Sequence, residues 1–533
     1  MKPRSRSVLT LAIAGTLLLA ACGGPATSSG AKAEYAKDGT LTVALSEDPG
    51  DLNPVLTNRV AAQVVGAYTY DTLVFTDPKT GAVKPYLATK WTETPAKVTF
   101  TLKEGVTCSD GTPFTAQTAA DNFNWIVNPA HGSPLKDSII PATAKATAAG
   151  NVLTVETPKP SPFLLFNVGS SALACEGALK NPKSVSSASD GTGLFVIKEV
   201  VPNDHITLER RAGYTWGPEG TTTSETLGVP KTVVIKIVTN PSTAANLLLS
   251  KAINIATVRG PDEQRLEAAK IASKPTTGLS GQINFNHFPG LPTDDPAVRK
   301  ALTAAIDLDT YTKIITAGKG MRATSMLGME PKVCSYDSIK GMLPRFDETG
   351  AATMLAAAGW TKNSAGVLEK NGKPFTLSLY YLNATDLSSA AAEYLGAQWG
   401  KLGVQVKLMG GDANYVITNT VAVQDPSTWD VSTLTFQSNT PSIFPAYFSG
   451  PNPPAGTNFA SIKNAKYETL VAEASAKSGA AACDLWKQAE QALFAQVDTI
   501  PVSVSPINQY FNGADSIYQT GSTVPGSAYR VLR

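Results

Sequence analysis

Apolar and polar residues alternate with a period of two in five stretches of the chain. These are GTLTVAL (Gly39–Leu45), KVTFTLK (Lys97–Lys103), HITLERR (His205–Arg211), TVVIKIV (Thr232–Val238) and PFTLSLYY (Pro374–Tyr381). Their content of β-branched residues and their alternation predict strands. Three other stretches carry apolar residues at helical spacing: DPAVRKALTAAID (Asp295–Asp307), SSAAAEYLGAQWGKLG (Ser388–Gly403) and AACDLWKQAEQALFAQ (Ala481–Gln496). In the first of them Asp295 precedes Pro296, an N-cap followed by proline at the first helical position. Strands and helices interleave along the whole chain, which predicts an α/β architecture.

The N-terminus has a different pattern. Lys2, Arg4 and Arg6 precede an uncharged apolar run from Val8 to Ala21. That run is shorter than the roughly 20 residues a membrane span needs, and it ends in small residues, as secretion signals do. Leu19-Ala20-Ala21-Cys22 resembles the bacterial lipobox, in which the cysteine receives a diacylglyceryl group and becomes the first residue after cleavage. Residues 1–21 are thus expected to be a signal peptide and Cys22 a lipid anchor, held to the membrane at about 0.8 kcal/mol per buried CH₂. Residues 22–37 would be the lipidated tether, because GGPATSSGAKA is small, polar and free of aromatics. The mature chain is expected outside the cytoplasm, anchored to the cell membrane.

Removal of the signal changes the charge. Of 45 basic and 43 acidic residues, three basic ones precede Cys22, which leaves 42 against 43. Such a balance excludes a basic footprint for nucleic acid. At this length one core is too few, and two or three domains are expected. Four cysteines remain, Cys108, Cys175, Cys334 and Cys483; in an oxidising compartment they favour disulfides, with three pairings open. They form no CxxC, and His131, His205 and His287 lie far apart, so no metal site or cofactor is expected. Catalytic signatures are missing as well: no GxSxG, HExxH, P-loop or GxGxxG occurs. GLSGQ (Gly278–Gln282) lacks the last glycine of a nucleophile elbow, and GTGLFV (Gly191–Val196) breaks the dinucleotide pattern after its second glycine. The chain is not expected to be an enzyme.

Six segments in order resemble the peptide-type, family 5 solute-binding proteins of ABC importers. They are GTLTVALSEDPGDLNP (Gly39–Pro54), the long stretch Tyr70–Phe123 with its TFTLKEGV strand and DGTPFTA turn, and GTGLFVIKEVVPNDHITLER (Gly191–Arg210). The others are Ile283–Tyr311, AATMLAAAGW (Ala351–Trp360) and YLGAQWGKLGVQVKL (Tyr394–Leu408). Leu194 and Phe195 stand where the family usually has Pro-Tyr. The resemblance implies a two-lobed periplasmic-binding-protein-like fold, type II and cluster C, with an extra N-terminal subdomain. Lobe I would be 38–67 with 190–281 and 501–533, the extra subdomain 68–189, and lobe II 282–500. On this division Cys108 pairs with Cys175 and Cys334 with Cys483, each bond within one lobe, so that the lobes close freely about crossings near Gly278–Gly281 and Ile500–Val502.

The implied function is capture of a peptide or peptide-like solute by a monomer that delivers it to an ABC permease and ATPase. A non-peptide solute, glycan or metal chelate, and a peptide-signal receptor are the alternatives. In peptide-binding members the ligand lies extended and bonds to backbone like an added strand, and an aspartate in the second lobe pairs with its amino group. The matching segment here is WDVSTLTFQSNTPSIF (Trp429–Phe444), with Phe436 at the aromatic position, Gln437 beside it and Asn439 at or near the aspartate. Asn439 brings no charge for an ammonium group, which speaks against a free-amine peptide; Asp430 reads as structural. Asn286 stands where the family has an asparagine beside the cleft. Trp429, with Tyr415 and Phe444, is an aromatic that could stack on a ligand. His287 keeps open the family's nickel carriers, which hold metal through a chelator and a histidine. The ligand set expected is thus Asn439, Phe436, Gln437, Asn286 and Trp429.

Overall fold

The computed structural model describes residues 34–383, 385–518 and 524–533. The expected signal peptide, Cys22 and the expected tether as far as Ala33 lie outside the described residues. The folded body takes up the chain at Tyr35, which bridges to Leu532, while the Ala36 N–H donates to the Val531 carbonyl at 2.9 Å.

One eleven-stranded sheet runs through the molecule. Its strands are β1 (Thr40–Leu45), β2 (Phe195–Val201), β3 (His205–Arg210), β4 (Thr232–Ile237), β5 (Ile255–Thr257), β6 (Ala272–Phe285), β7 (Met321–Arg322), β8 (Thr376–Leu382), β9 (Gln405–Gly411), β10 (Val431–Ser432) and β11 (Thr499–Phe511). Across the sheet the order is β9-β8-β10-β6-β11-β5-β1-β4-β3-β2, with β7 on the side of β11. The pairs β1/β4, β1/β5, β8/β9 and β8/β10 are parallel, while β6/β11 is antiparallel. The five stretches with period-two alternation all form strands where expected, four in this sheet and Lys97–Leu102 in a smaller one.

β6 and β11 are the longest strands, and together they form a ribbon linking the two halves of the sheet. Ala272 pairs with Phe511 at one end, where Phe511 also meets Ile255 of β5. Asn284 pairs with Thr499 at the other end and with Ser432 of β10. In the middle the register shifts twice, between Leu279 and Gly281 and between Gly281 and Gln282. Gln282 faces Pro501, which has no N–H to give the ladder, and such prolines sit at bulges. Gly281 is required by close approach: a Cβ there would lie 2.7 Å from Ser503 Oγ and 2.9 Å from the Tyr311 ring.

Buried side chains gather in separate clusters on the two sides of this ribbon. On the first side Leu41, Val43, Val233 and Ile235 join Phe100, Phe123 and Tyr214, with a smaller cluster of Leu248, Ile253 and Leu266 under β5. A four-stranded antiparallel sheet (Ala88–Thr94, Lys97–Leu102, Val152–Glu156 and Lys145–Ala149, in that order) belongs to this side. Helix Ala116–Val127 packs on it, started by a Thr115/Thr118 capping box. Asn124 exchanges two hydrogen bonds with Ala146 at 2.9 and 3.0 Å, tying helix to sheet. Asn122 does the same with Ala174. Beside it Cys108 and Cys175 form a disulfide, their Cα atoms 6.1 Å apart.

On the second side, one cluster holds Phe285, Leu302, Phe375 and Trp399, and another Trp429, Phe448, Phe459 and Trp486. Trp399 comes from helix Asp386–Leu402 and donates Nε1–H to the Leu302 carbonyl of helix Pro296–Ala304 at 2.9 Å. The predicted helix Asp295–Asp307 stops at Ala304 because Asp307 caps the next one, accepting the Asp309 and Thr310 N–H groups. Cys334 and Cys483 are also bonded, with Cα atoms 5.5 Å apart. This bond joins the segment after β7 to helix Gly479–Ala495.

Candidate functional site

A cavity of about 600 Å³ opens between the two sides, a size suited to small ligands. Its first wall begins with helix Val60–Thr69. Ala61, Val65 and Tyr68 point into the core, while Gln63, Gly66 and Ala67 line the cavity, as a helix with one apolar face dictates. The short helix Leu164–Gly169 works the same way: Leu164, Leu165 and Val168 are buried, and Phe166, Asn167 and the following Ser170 border the space. Leu135 to Pro141 and the strand Val74–Thr76 complete this wall.

The second wall is one loop, Ser438 to Ala446, with Pro331 beside it. Phe444 and Phe448 fix the loop by inserting into the aromatic cluster around Phe459. The Asn439 carbonyl accepts the Val333 N–H at 3.0 Å, holding the loop to the segment that bears the Cys334–Cys483 bond. Asn439, Ser442 and Ile443 then face the cavity.

Behind the first wall lies a sealed carboxylate. Asp71 accepts hydrogen bonds from Tyr86 Oη, from Trp216 Nε1 at 3.0 Å and from Thr192 Oγ1 at 3.1 Å. Tyr86 lines the cavity, yet its hydroxyl is spent on Asp71 and lies 3.1 Å from the Tyr214 hydroxyl. Burial raises the Asp71 carboxyl above the ordinary aspartate range, against the opposing pull of those three donors.

Of the residues expected to bind ligand, Asn439 lines the cavity, with its side-chain amide bonded to no described residue. The other four stand elsewhere. Phe436 packs against Tyr447 and Phe459, each with ring centroids at 4.9 Å. Trp429 is fully buried and stacks on Phe459 at 5.5 Å. Asn286 is also fully buried, donating to the Pro426 and Trp429 carbonyls at 2.6 and 2.7 Å and accepting from the Phe288 N–H. Gln437 reaches the ribbon instead, its Oε1 accepting the Leu279 N–H at 2.8 Å. Asp430 accepts from the Ser378 N–H and hydroxyl at 2.8 and 2.7 Å and so joins strands. Tyr415 is partly exposed beside Tyr380, and Phe444 belongs to the core.

His287 faces a different, smaller cavity of about 350 Å³, together with Arg299, Asn464 and Asp498. Arg299 Nη2 lies 3.1 Å from Asp498 Oδ1, and His287 Nε2 lies 3.7 Å from the same oxygen. Burial, with the Arg299 charge second, holds the imidazole well below its ordinary pKa, while burial pushes Asp498 up to about 6. Among the described residues the one group with metal-ligand spacing is Cys108, Cys175 and Asp190, and its two sulfurs are spent on a disulfide.

Sequence reasoning did not find Gln63, Ser161, Phe166, Asn167 or Ser442, all on the cavity wall. Asn167 sits in a helix of six residues, too short for its exposed face to show as a period.

A mixed sheet is thus shared by two separately cored halves, with a solute-sized cavity at their junction. The chain matches the family model described as bacterial extracellular solute-binding proteins, family 5 Middle, over residues 82–462, and it belongs to that family. The nickel-binding periplasmic protein of Escherichia coli K12 is 25% identical over 70% of this chain and 72% of its own. The periplasmic murein peptide-binding protein MppA of the same organism is 24% identical over 88% of this chain and 87% of its own. The ABC transporter substrate-binding protein CtaP of Listeria monocytogenes shares the fold, with a TM-score of 0.77, 18% identity, and coverage of 93% of this chain and 100% of that one. Such proteins work outside the cytoplasm, and among the described residues no helix is long and apolar enough to cross a membrane.

Proposed function

We propose that this chain is the solute-binding lipoprotein of an ABC importer, held at the membrane through Cys22, that captures a peptide-like or other small solute and delivers it to a permease. The observation that carries the reading is the double-sided cavity: one wall comes from helix Val60–Thr69 and the 161–172 segment, the other from the Ser438–Ala446 loop across the ribbon. A ligand touching both walls stabilises the arrangement in which they are close, so closure and binding are one equilibrium. The two halves act as lobes, and the register shifts at Leu279–Gln282 make the ribbon the place that bends. Relatives whose names specify nickel, murein peptide or glutathione support a transport role and leave the cargo to this chain's own cavity.

The test is native mass spectrometry of protein beginning at Ala31, purified without refolding. A bound mass that disappears in the cavity-filling variant Ser442→Trp is expected. A bound mass that the variant retains would place the cargo elsewhere and overturn this reading.

A further inference from the structure

Resting on that reading, we infer that the cavity takes an electrically neutral solute and rejects one with free ionic ends. Among the described residues Asp137 is the one charged side chain on the wall, and it stands exposed, with Oδ1 already accepting the Ala142 N–H at 2.8 Å. No lysine, arginine, histidine or glutamate of the described residues lines the space. The charges nearby are accounted for. Asp71 is sealed behind Tyr86 by three donors. Glu330, next to Pro331 on the second wall, faces Lys332 at 3.8 Å and accepts from the Thr277 hydroxyl.

What the walls offer instead is neutral. Ser161 and Asn167 on one side, Asn439 and Ser442 on the other, line the cavity with side chains bonded to no described residue. These are two hydroxyls and two amides, each able to donate and accept, and they approach from both lobes. Phe166 adds an apolar face. A carboxylate brought into such a space gives up its hydration and finds no cation in return, and an ammonium group meets only Asp137, whose exposed carboxylate is screened by solvent and already accepts a backbone N–H. A hydroxyl or amide of the solute finds partners of its own kind on both walls. A short free peptide carries both ionic ends into a space of this size, whereas an oligosaccharide or a peptide blocked at both ends carries neither.

Calorimetric titration of the mature, anchor-free protein with three probes tests this: the tripeptide Ala-Phe-Ala, the same peptide acetylated and amidated, and maltotriose. At least one neutral probe is expected to bind tenfold or more tightly than the free tripeptide. Binding of that probe should be lost in Ser442→Trp and fall several-fold in Asn167→Asp, which keeps the shape and adds a charge. The blocked peptide and the sugar distinguish the two sources of neutral cargo. A free tripeptide binding as tightly as its blocked form would overturn the inference and leave capture intact. No binding by either neutral probe at millimolar concentration would also overturn it. Neutral binding that survives both variants would instead overturn the placement of the site.

Discussion

Gln437 and Leu279 join the loop of the second cavity wall to the crossing ribbon: the glutamine Oε1 accepts the Leu279 N–H at 2.8 Å, where the register of β6 begins to shift. A second amide runs the other way, Gln282 Oε1 accepting the Phe436 N–H at 2.7 Å. The segment that ends in Asn439 is therefore bonded on either side of the bulge. On the proposed function, movement of the loop and bending of the ribbon would be one event.

Gln437→Ala should uncouple them. Loss of one neutral hydrogen bond costs about 0.5–1.5 kcal/mol, which in a chain of this size lowers the melting midpoint by about 1–2 °C. Faster deuterium exchange at Leu279, with the cores unchanged, is the expected signature. Unaltered exchange there would mean that the bond restrains nothing.

Asn439→Asp places a carboxylate on the second wall without changing its shape. Affinity for peptides with a free amino group should rise about tenfold in calorimetric titration. An unchanged affinity would mean that residue 439 does not meet the amino end.

Glu490 makes stability depend on pH. It is fully buried in helix Gly479–Ala495, accepts from the Met326 N–H and from the Tyr336 and Ser338 hydroxyls, and burial pushes its carboxyl up to about 7. The folded state therefore holds its proton more tightly than the unfolded one. Its stabilising contribution is complete below about pH 4.5 and is lost as pH rises through 7. Glu490→Gln should flatten the fall in melting midpoint between pH 5 and 8. An equal fall in both proteins would show that this carboxyl is not the group responsible.

The Cys334–Cys483 bond closes a loop with a sequence separation of 149 and holds the segment that carries Pro331 at the cavity edge. Replacing both cysteines by serine should cost about 2–4 kcal/mol. It should also weaken ligand binding, measured by chemical denaturation and titration on the same samples. The equivalent change at Cys108 and Cys175, which tie down no part of the second wall, should lower stability and weaken binding less.

Cys22→Ala should move the protein from the membrane fraction to the soluble fraction, read by immunoblot. Retention in the membrane would overturn the lipid anchor.

The strands were legible because half-buried sheets write their alternation into the chain, as in Thr232–Ile237. Helix ends were legible where a cap is local: Asp295 before Pro296 starts one helix, and Gly403, at φ 100°, ends another. The helix over 295–307 ran long because Asp307 looks like a last turn and is in fact the first cap of its successor. The site was less legible. Trp429 and Asn286 carry residue types that ligands favour, yet both serve a core whose partners lie far away in sequence. Asn167 and Ser442 are ordinary polar residues brought to one cavity by stretches distant in sequence, and no local pattern marks that meeting.

The ribbon has a consequence for engineering. Gly281 and Ser503 are direct partners in an antiparallel pair, so their Cα atoms stand roughly 5 Å apart. Everything between them leaves and returns through adjacent doors. A two-residue turn of the Asn-Gly kind could join β6 to β11 at that point. The first half would then be a continuous chain by itself, and the excised half a cassette that could be exchanged between relatives to graft a new second wall onto an unchanged first one.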